Sequence, residues 1–227
     1  MLDGRTIVVT GALGVLGSVV ADAAEAAGAK VARLDQAKAQ GPRELLFDGL
    51  DLTEEAATTA AMDAVAQRCG GIDGLVNIAG GFTWATLADA PAAVWDRMFR
   101  INVLTAVTAT RAAMAALSAS GAGSIVNIGA GAAAKAGAGM GAYAASKAGV
   151  AKLTESLAEE LAGAGVRVNA VLPSIIDTPT NRRDMPKADF STWVQPDDIA
   201  KVIVFLLSDR SAAITGASIP VTVGRTR

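Results

Sequence analysis

The chain has no histidine, one cysteine and one tyrosine in 227 residues, and only 4% of it is aromatic. Each scarcity excludes something. Without histidine, the residue most often used for acid–base work near neutral pH is unavailable. The single cysteine, Cys69, excludes an internal disulfide and a cysteine-based metal cage and fits a reducing cytoplasm, so no metal site is expected. Charge of one sign is not in excess either. The net charge is −2, acidic and basic residues are interspersed, and no basic footprint for nucleic acid is present. Long unbroken apolar runs are also lacking. Residues 6–21 and 112–134 carry no charge, but Gly11, Gly14 and Gly17 interrupt the first and Gly121, Gly123, Gly129 and Gly131 the second. Neither reads as a membrane span or a signal sequence. A soluble, unprocessed cytoplasmic protein with no membrane partner is the expectation.

What is abundant is small and apolar. Hydrophobic residues make up 52% of the chain, carried mostly by alanine and valine, with 24 glycines beside them. Small side chains suit helices packed closely on a parallel sheet. Short apolar runs at 7–10, 30–34, 45–47, 75–78, 124–128, 167–171 and 218–223 read as strands. They alternate with helical patterns at 16–27, 53–68, 92–117, 142–161 and 197–207. The strands are continuously apolar rather than alternating, which implies burial on both faces. Strand–helix alternation implies right-handed crossovers and a parallel sheet with helices on both sides. No internal repeat or low-complexity linker marks a boundary. The fold class expected is α/β, a single doubly wound, Rossmann-like domain over residues 1–227.

Within the 142–161 helix, the only tyrosine, Tyr143, precedes Lys147 by one helical turn, so the two project from one face. A phenol titrates at about pKa 10 and is a poor proton carrier at neutral pH, while a neighbouring cation favours the phenolate. This pair is the leading candidate for proton transfer. The competing interpretation is a half-buried ring covered by a snorkelling lysine.

Thr10-Gly11-Ala12-Leu13-Gly14-Val15-Leu16-Gly17 follows the first strand and opens the first helix. Glycine permits a tight turn and close approach of backbone to a pyrophosphate, whose charge the helix N-terminus attracts. Glycines also end strands for packing reasons, but strand–turn–helix is the right context for dinucleotide binding. Asp35 ends the second strand, where a carboxylate accepts hydrogen bonds from the adenosine ribose and repels a 2′-phosphate. That favours NAD(H). Arg33 and Lys38 nearby could instead welcome the phosphate of NADP(H).

With these pieces the chain resembles the short-chain dehydrogenase/reductase family over almost its whole length. The resemblance adds Asp51-Leu52 at the adenine position, Asn77-Ile78-Ala79-Gly80 after the fourth strand, Asn102, and Pro173 and Thr178 after the sixth. It implies a hydride-transferring oxidoreductase. Tyr143 would be the general acid or base, Lys147 would lower its pKa and hold the nicotinamide ribose, and Asn102 would bind a relay water. Ile176 and Thr178 would meet the carboxamide. The family also implies a homodimer or homotetramer, for which the alanine-rich faces at 109–116 and 148–161 are candidates, although the same faces could simply pack on the sheet.

Two departures stand out. The glycines are spaced Gly-x-x-Gly-x-x-Gly, and Ala130 occupies the place of the family's catalytic serine. Alanine offers no hydroxyl to a substrate carbonyl, and neither Ser124 nor Ser146 is an obvious replacement. Both departures resemble the quinoid dihydropteridine reductase subgroup. So do Ala79-Gly80-Gly81-Phe82 and the segment from Asp177-Thr178-Pro179 through Asn181-Arg182 and Met185-Pro186 to Trp193. A quinonoid dihydropterin takes hydride into a conjugated ring and has less need of a serine aimed at one oxygen; a ketone or aldehyde is the other substrate class. Phe82, Trp84, Met140, Met185 and Trp193 could line a flat apolar slot beside Ala130, or serve as core and loop anchors. A non-catalytic dinucleotide sensor or scaffold is the alternative that Ala130 suggests.

Overall fold

The continuous apolar strands are explained by their position in the computed structural model, which describes residues 1–39, 41 and 44–223. They form one seven-stranded sheet, all pairs parallel: β1 Thr6–Thr10, β2 Lys30–Asp35, β3 Leu46–Asp48, β4 Gly74–Asn77, β5 Ser124–Ile128, β6 Arg167–Pro173 and β7 Ser218–Val221, in the order β3-β2-β1-β4-β5-β6-β7. Every residue of β1, β4 and β5 is buried. Parallel strands need crossovers, and the crossing helices cover both faces.

Those helices are α1 Val15–Ala26, α2 Glu55–Cys69, α3 Ala92–Phe99, α4 Thr105–Ala119, α5 Gly141–Leu161, α6 Pro179–Asp184 and α7 Pro196–Leu207. On one face Val20 and Ala24 of α1 and Ile199, Ile203 and Leu207 of α7 pack on Ile7, Val9, Val126 and Val171. On the other, Met62 and Val65 of α2, Ala113 and Leu117 of α4 and Leu157 of α5 pack on Val8, Leu75, Ile125 and Val168. Ala109, Ala113, Ala158 and Leu161 all belong to this second core, so sheet packing accounts for those residues of the alanine-rich faces. The order of strands reverses between β1 and β4, which opens a crevice at their carboxyl ends.

Three expectations need adjustment. The helix expected at 92–117 is α3 and α4 joined by a π-helical turn, Arg100–Leu104. Such turns are single insertions that re-aim side chains, and they recur at functional sites. The segment after β6 holds α6, whose start follows from local chemistry. Thr178 caps it by accepting from Asn181 N at 3.1 Å, and Pro179 takes the first helical position. The last strand stops at Val221. The path Ala92–Ala119 is long and apolar enough to cross a bilayer, but Ala106, Ala109, Ala113 and Leu117 bury themselves on the protein's own core.

Candidate active site

The crevice is shaped first by glycines. Gly11 has φ +64° and Gly17 lies so close to it that a Cβ would sit 2.0 Å from Gly11 O. Gly14 caps α1 with no side-chain hydrogen bond and no acidic residue in the first turn. The N–H groups of that turn lack intrahelical partners and present partial positive charge, which suits an anionic ligand. Thr10, a residue that sequence reasoning passed over, ties this turn to the end of β4. Its Oγ1 accepts from Ile78 N at 3.0 Å and Ala79 N at 3.2 Å and donates to Val76 O at 3.3 Å.

A cavity of about 710 Å³ results, lined by Gly11, Leu13, Gly14, Gly17, Asp35, Asp51, Leu52, Ala79 and Gly80 together with Thr53, Arg97 and Arg100. Most of the expected cofactor residues are thus on one wall. Leu16 and Asn77 are not, and Tyr143, Lys147, Pro173, Ile176 and Thr178 lie outside this lining as well. Leu16 turns into the core beside Val20, because the first turn of α1 aims that position at the sheet. Asn77 Nδ2 donates to Asn127 Oδ1 at 2.8 Å and Thr110 Oγ1 at 3.2 Å, so its side chain braces β4 against β5 and α4.

Asp35 stands at the lip. Its two carboxylate oxygens accept from Leu13 N and Ala37 N, each at 2.8 Å. Arg33, weighed above as a phosphate ligand, is buried elsewhere. It donates to Asp22 at 2.7 Å and to Glu25, in a separate cavity with Lys30 and Arg68. Lys38 is paired with Asp48 at 3.5 Å.

The acid–base pair occupies the start of α5. The Tyr143 ring meets the edge of Phe82 at 4.9 Å. Lys147 is buried, and its Nζ donates to Ile128 O, the last carbonyl of β5, at 2.7 Å. Burial pushes the Tyr143 phenol up to about 12 and the Lys147 ammonium down to about 8. In the protein alone the direction for Tyr143 is therefore opposite to the one expected from its neighbouring cation, because desolvation disfavours the charged form of each group.

Asn102, placed by the π-helical turn, is also buried. Nδ2 donates to Gly81 O and Ser146 Oγ, each at 3.0 Å, and Oδ1 accepts from Gly81 N at 2.9 Å. Ser146 Oγ donates in turn to Tyr143 O at 2.7 Å. The Asn102 side chain thus staples the loop after β4 to the helix that carries Tyr143. The relay water assigned to it by resemblance would have to find its partners elsewhere than these amide hydrogens.

Ala130 is buried just past β5 and opens a single 3₁₀ turn, Gly131–Ala133. Ser124 Oγ donates to Leu206 O at 2.9 Å at the opposite end of β5, and Ser146 is engaged as described. Neither supplies the missing hydroxyl.

The residues expected around the substrate divide into two groups. Phe82 and Trp84 are 55% and 59% exposed. Trp84 Nε1 donates to Ala138 O at 3.0 Å and Ala85 N to Gly139 O at 2.9 Å, which zips the loop after β4 to the loop before Tyr143. Gly139 has φ +73°, and its missing Cβ would lie 2.2 Å from the indole. Half-buried Met140 caps α5 beside them. Trp193, by contrast, is 3% exposed and packs on Phe190 at 4.7 Å. It anchors the segment after β6 rather than facing a slot. Met185 ends α6 on that same segment.

That segment is closed by contacts that no motif announced. Ile176 bridges to Val194. Arg182 donates to both oxygens of Asp177, at 2.6 and 2.7 Å, and Gln195 adds a third bond at 3.0 Å. These bonds, Arg182's foremost, hold the Asp177 carboxyl down to about 2. The Arg182 guanidinium also lies 4.6 Å over the Phe190 ring. The clasp fixes Ile176 and Thr178 just beyond Pro173, which pairs with Val221 at the end of β6.

Known proteins resemble this chain over most or all of its length. A sequence profile described as short chain dehydrogenase matches residues 5–189. A 2-(S)-hydroxypropyl-CoM dehydrogenase 3 of Xanthobacter autotrophicus is 36% identical, covering 99% of this chain and 98% of the relative. A D-threitol dehydrogenase of Mycolicibacterium smegmatis is 34% identical, covering 99% and 94%. Among solved structures, the 3-ketoacyl-(acyl-carrier-protein) reductase from Brucella melitensis complexed with NADH superposes with a TM-score of 0.89 at 27% identity, over 100% of both chains.

Proposed function

The chain belongs to the short-chain dehydrogenase family and is an NAD(P)-dependent oxidoreductase; from that premise we propose that it uses Tyr143 as proton donor or acceptor while hydride passes between NAD(H) and a small, planar organic substrate. The bound dinucleotide supplies or accepts the hydride, and the protein positions the reactants and handles the proton. The observation that carries this reading is the tether of Lys147 to Ile128 O. It holds the ammonium at the mouth of the sheet, one helical turn from the phenol. There Lys147 would hold the nicotinamide ribose and favour the phenolate. Ile176 and Thr178, held by the Asp177–Arg182 clasp, would meet the carboxamide.

The glycine turn suits a dinucleotide: Gly11, Gly14 and Gly17 line the cavity, and the turn packs so tightly that added Cβ atoms at Gly11 and Gly17 would strike neighbouring backbone. NAD(H) is favoured over NADP(H) because Asp35 presents a carboxylate at the lip while Arg33 is tied to Asp22 and Glu25. Ala130 removes a hydrogen-bond donor of a kind that is worth roughly a few kcal/mol to an isolated developing oxyanion. Together with exposed Phe82 and Trp84, this favours a conjugated ring such as a quinonoid dihydropterin over a simple ketone or aldehyde. We place the enzyme in the cytoplasm, as a homodimer or homotetramer.

Tyr143→Phe tests the assignment. Turnover followed by the absorbance of reduced nicotinamide should fall by about 10²-fold or more, the usual range for losing a positioned acid or base. NADH affinity by fluorescence should change little. Full activity in this variant would remove Tyr143 from the mechanism, and a panel of quinonoid dihydropterin against ketones and aldehydes separates the substrate classes.

A further inference from the structure

Arg100 is among the side chains on the cavity wall that belong to none of the cofactor motifs. The π-helical turn Arg100–Leu104 carries both Asn102, which makes the Gly81 staple, and Arg100, which lines the cavity. There Arg100 Nη2 donates to Thr53 Oγ1 at 3.2 Å. Thr53 is itself held, donating from N and Oγ1 to Asp51 Oδ1 at 2.8 Å each. Arg100, Asp51, Leu52 and Thr53 all line the cavity, with Asp35 and Ala37 at the end of β2. The guanidinium therefore bridges the α3–α4 path to the connection between β3 and α2.

Its chemistry is specific. A guanidinium is planar and weakly hydrated, and it stacks on aromatic faces. The bond to Thr53 uses one of its several N–H donors and ties the group to the cavity wall. Lysine in the same place would supply charge but no plane. We propose that Arg100 is a purine clamp: it stacks on the adenine of the dinucleotide and selects for a ligand that carries that base. This rests on the dinucleotide reading above and adds to it a residue with no counterpart among the glycine, Asp35 or Asp51 positions.

The test compares NADH with reduced nicotinamide mononucleotide, which lacks the adenylate half, by fluorescence titration of the purified full chain. Arg100→Ala should weaken NADH by about tenfold, the scale of a partly desolvated cation–π contact. The mononucleotide should change by less than about twofold, and Arg100→Lys should recover only part of the loss. The thermal midpoint of each variant should match the wild type, because the side chain is a surface bridge. Equal weakening of both ligands would overturn the clamp in favour of a structural tether. Unchanged NADH affinity in Arg100→Ala would also overturn it, as would full recovery with lysine, which calls for charge alone. Failure of the wild type to bind NADH would sink the dinucleotide reading itself, before any variant is compared.

Discussion

The two ends of the crevice are built from different materials. The glycine end is largely backbone: Gly11, Gly14 and Gly17 make a surface whose shape depends on side chains being absent, with Asp35, Asp51, Thr53 and Arg100 among the few polar side chains around it. The Tyr143 end is side chain. Phe82 meets Tyr143, Trp84 covers Gly139, Asn102 reaches Gly81 and Ser146, and Arg182 clasps Asp177. A backbone surface tolerates almost no addition, whereas an assembly of side chains can be altered one contact at a time. The difference teaches where each end is vulnerable, and it suits a protein whose ligand is constant at one end and selected at the other.

The sharpest way to break the comparison is Gly17→Val. The new side chain begins 2.0 Å from Gly11 O, backbone that cannot move aside. NADH binding should become undetectable in a fluorescence titration, with a lowered thermal midpoint, whereas a variant that still binds NADH normally would mean the turn is more pliant than its geometry.

A second test probes Lys147, where the ends meet. Its ordinary pKa of 10.5 is lowered to about 8 by burial. Below about pH 8 both folded and unfolded chains carry the proton, and the fold bears the whole cost of a buried charge. Between about 8 and 10.5 the unfolded chain holds the proton more tightly, so this group raises stability as pH rises. Relative to Lys147→Met, the wild type should therefore gain about 2–3 kcal/mol between pH 7 and 10 in urea unfolding. Tyr143 acts oppositely but later: its pKa is raised from 10.0 to about 12, so it loses stability only above pH 10. A flat difference between the two proteins across that range would contradict the buried-ammonium assignment.

The smallest effect should come from Gly139→Ala. Alanine at φ +73° costs about 1–2 kcal/mol, and its methyl displaces the Trp84 indole. Substrate KM should rise several-fold while NADH affinity stays within about twofold of wild type, consistent with damage confined to side-chain contacts at the substrate end. A matching loss of NADH affinity would show that the two ends are coupled.

Legibility follows the same division. The parallel sheet, most of its elements and the cavity wall from Gly11 to Asp35 were readable because strand, turn and helix are adjacent in the chain, and the need for Gly11 lies in its own φ and that for Gly17 in backbone six residues before it. Leu16 and Asn77 sit inside those motifs yet point elsewhere, a matter of which helix face and strand face the core claims. Trp193 was open between a slot residue and an anchor, and its burial against Phe190, a contact outside any local pattern, decides for the anchor. The Asp177–Arg182 clasp had a signal, an acid and an arginine flanking a Thr-Pro helix start, but nothing local says that the two meet.

Sequence alone determined the alternation of strands and helices, the glycine turn, the pairing of Tyr143 with Lys147 on one helix face, and the alanine at position 130. All are properties of residues within a turn or two of one another. Tertiary structure decided the direction of the Tyr143 pKa, the stapling role of Asn102, the removal of Arg33 from the cavity and the bridge from Arg100 to Thr53. Burial and long-range hydrogen bonds exist only once distant segments are brought together, and no local pattern encodes the solvent that packing excludes.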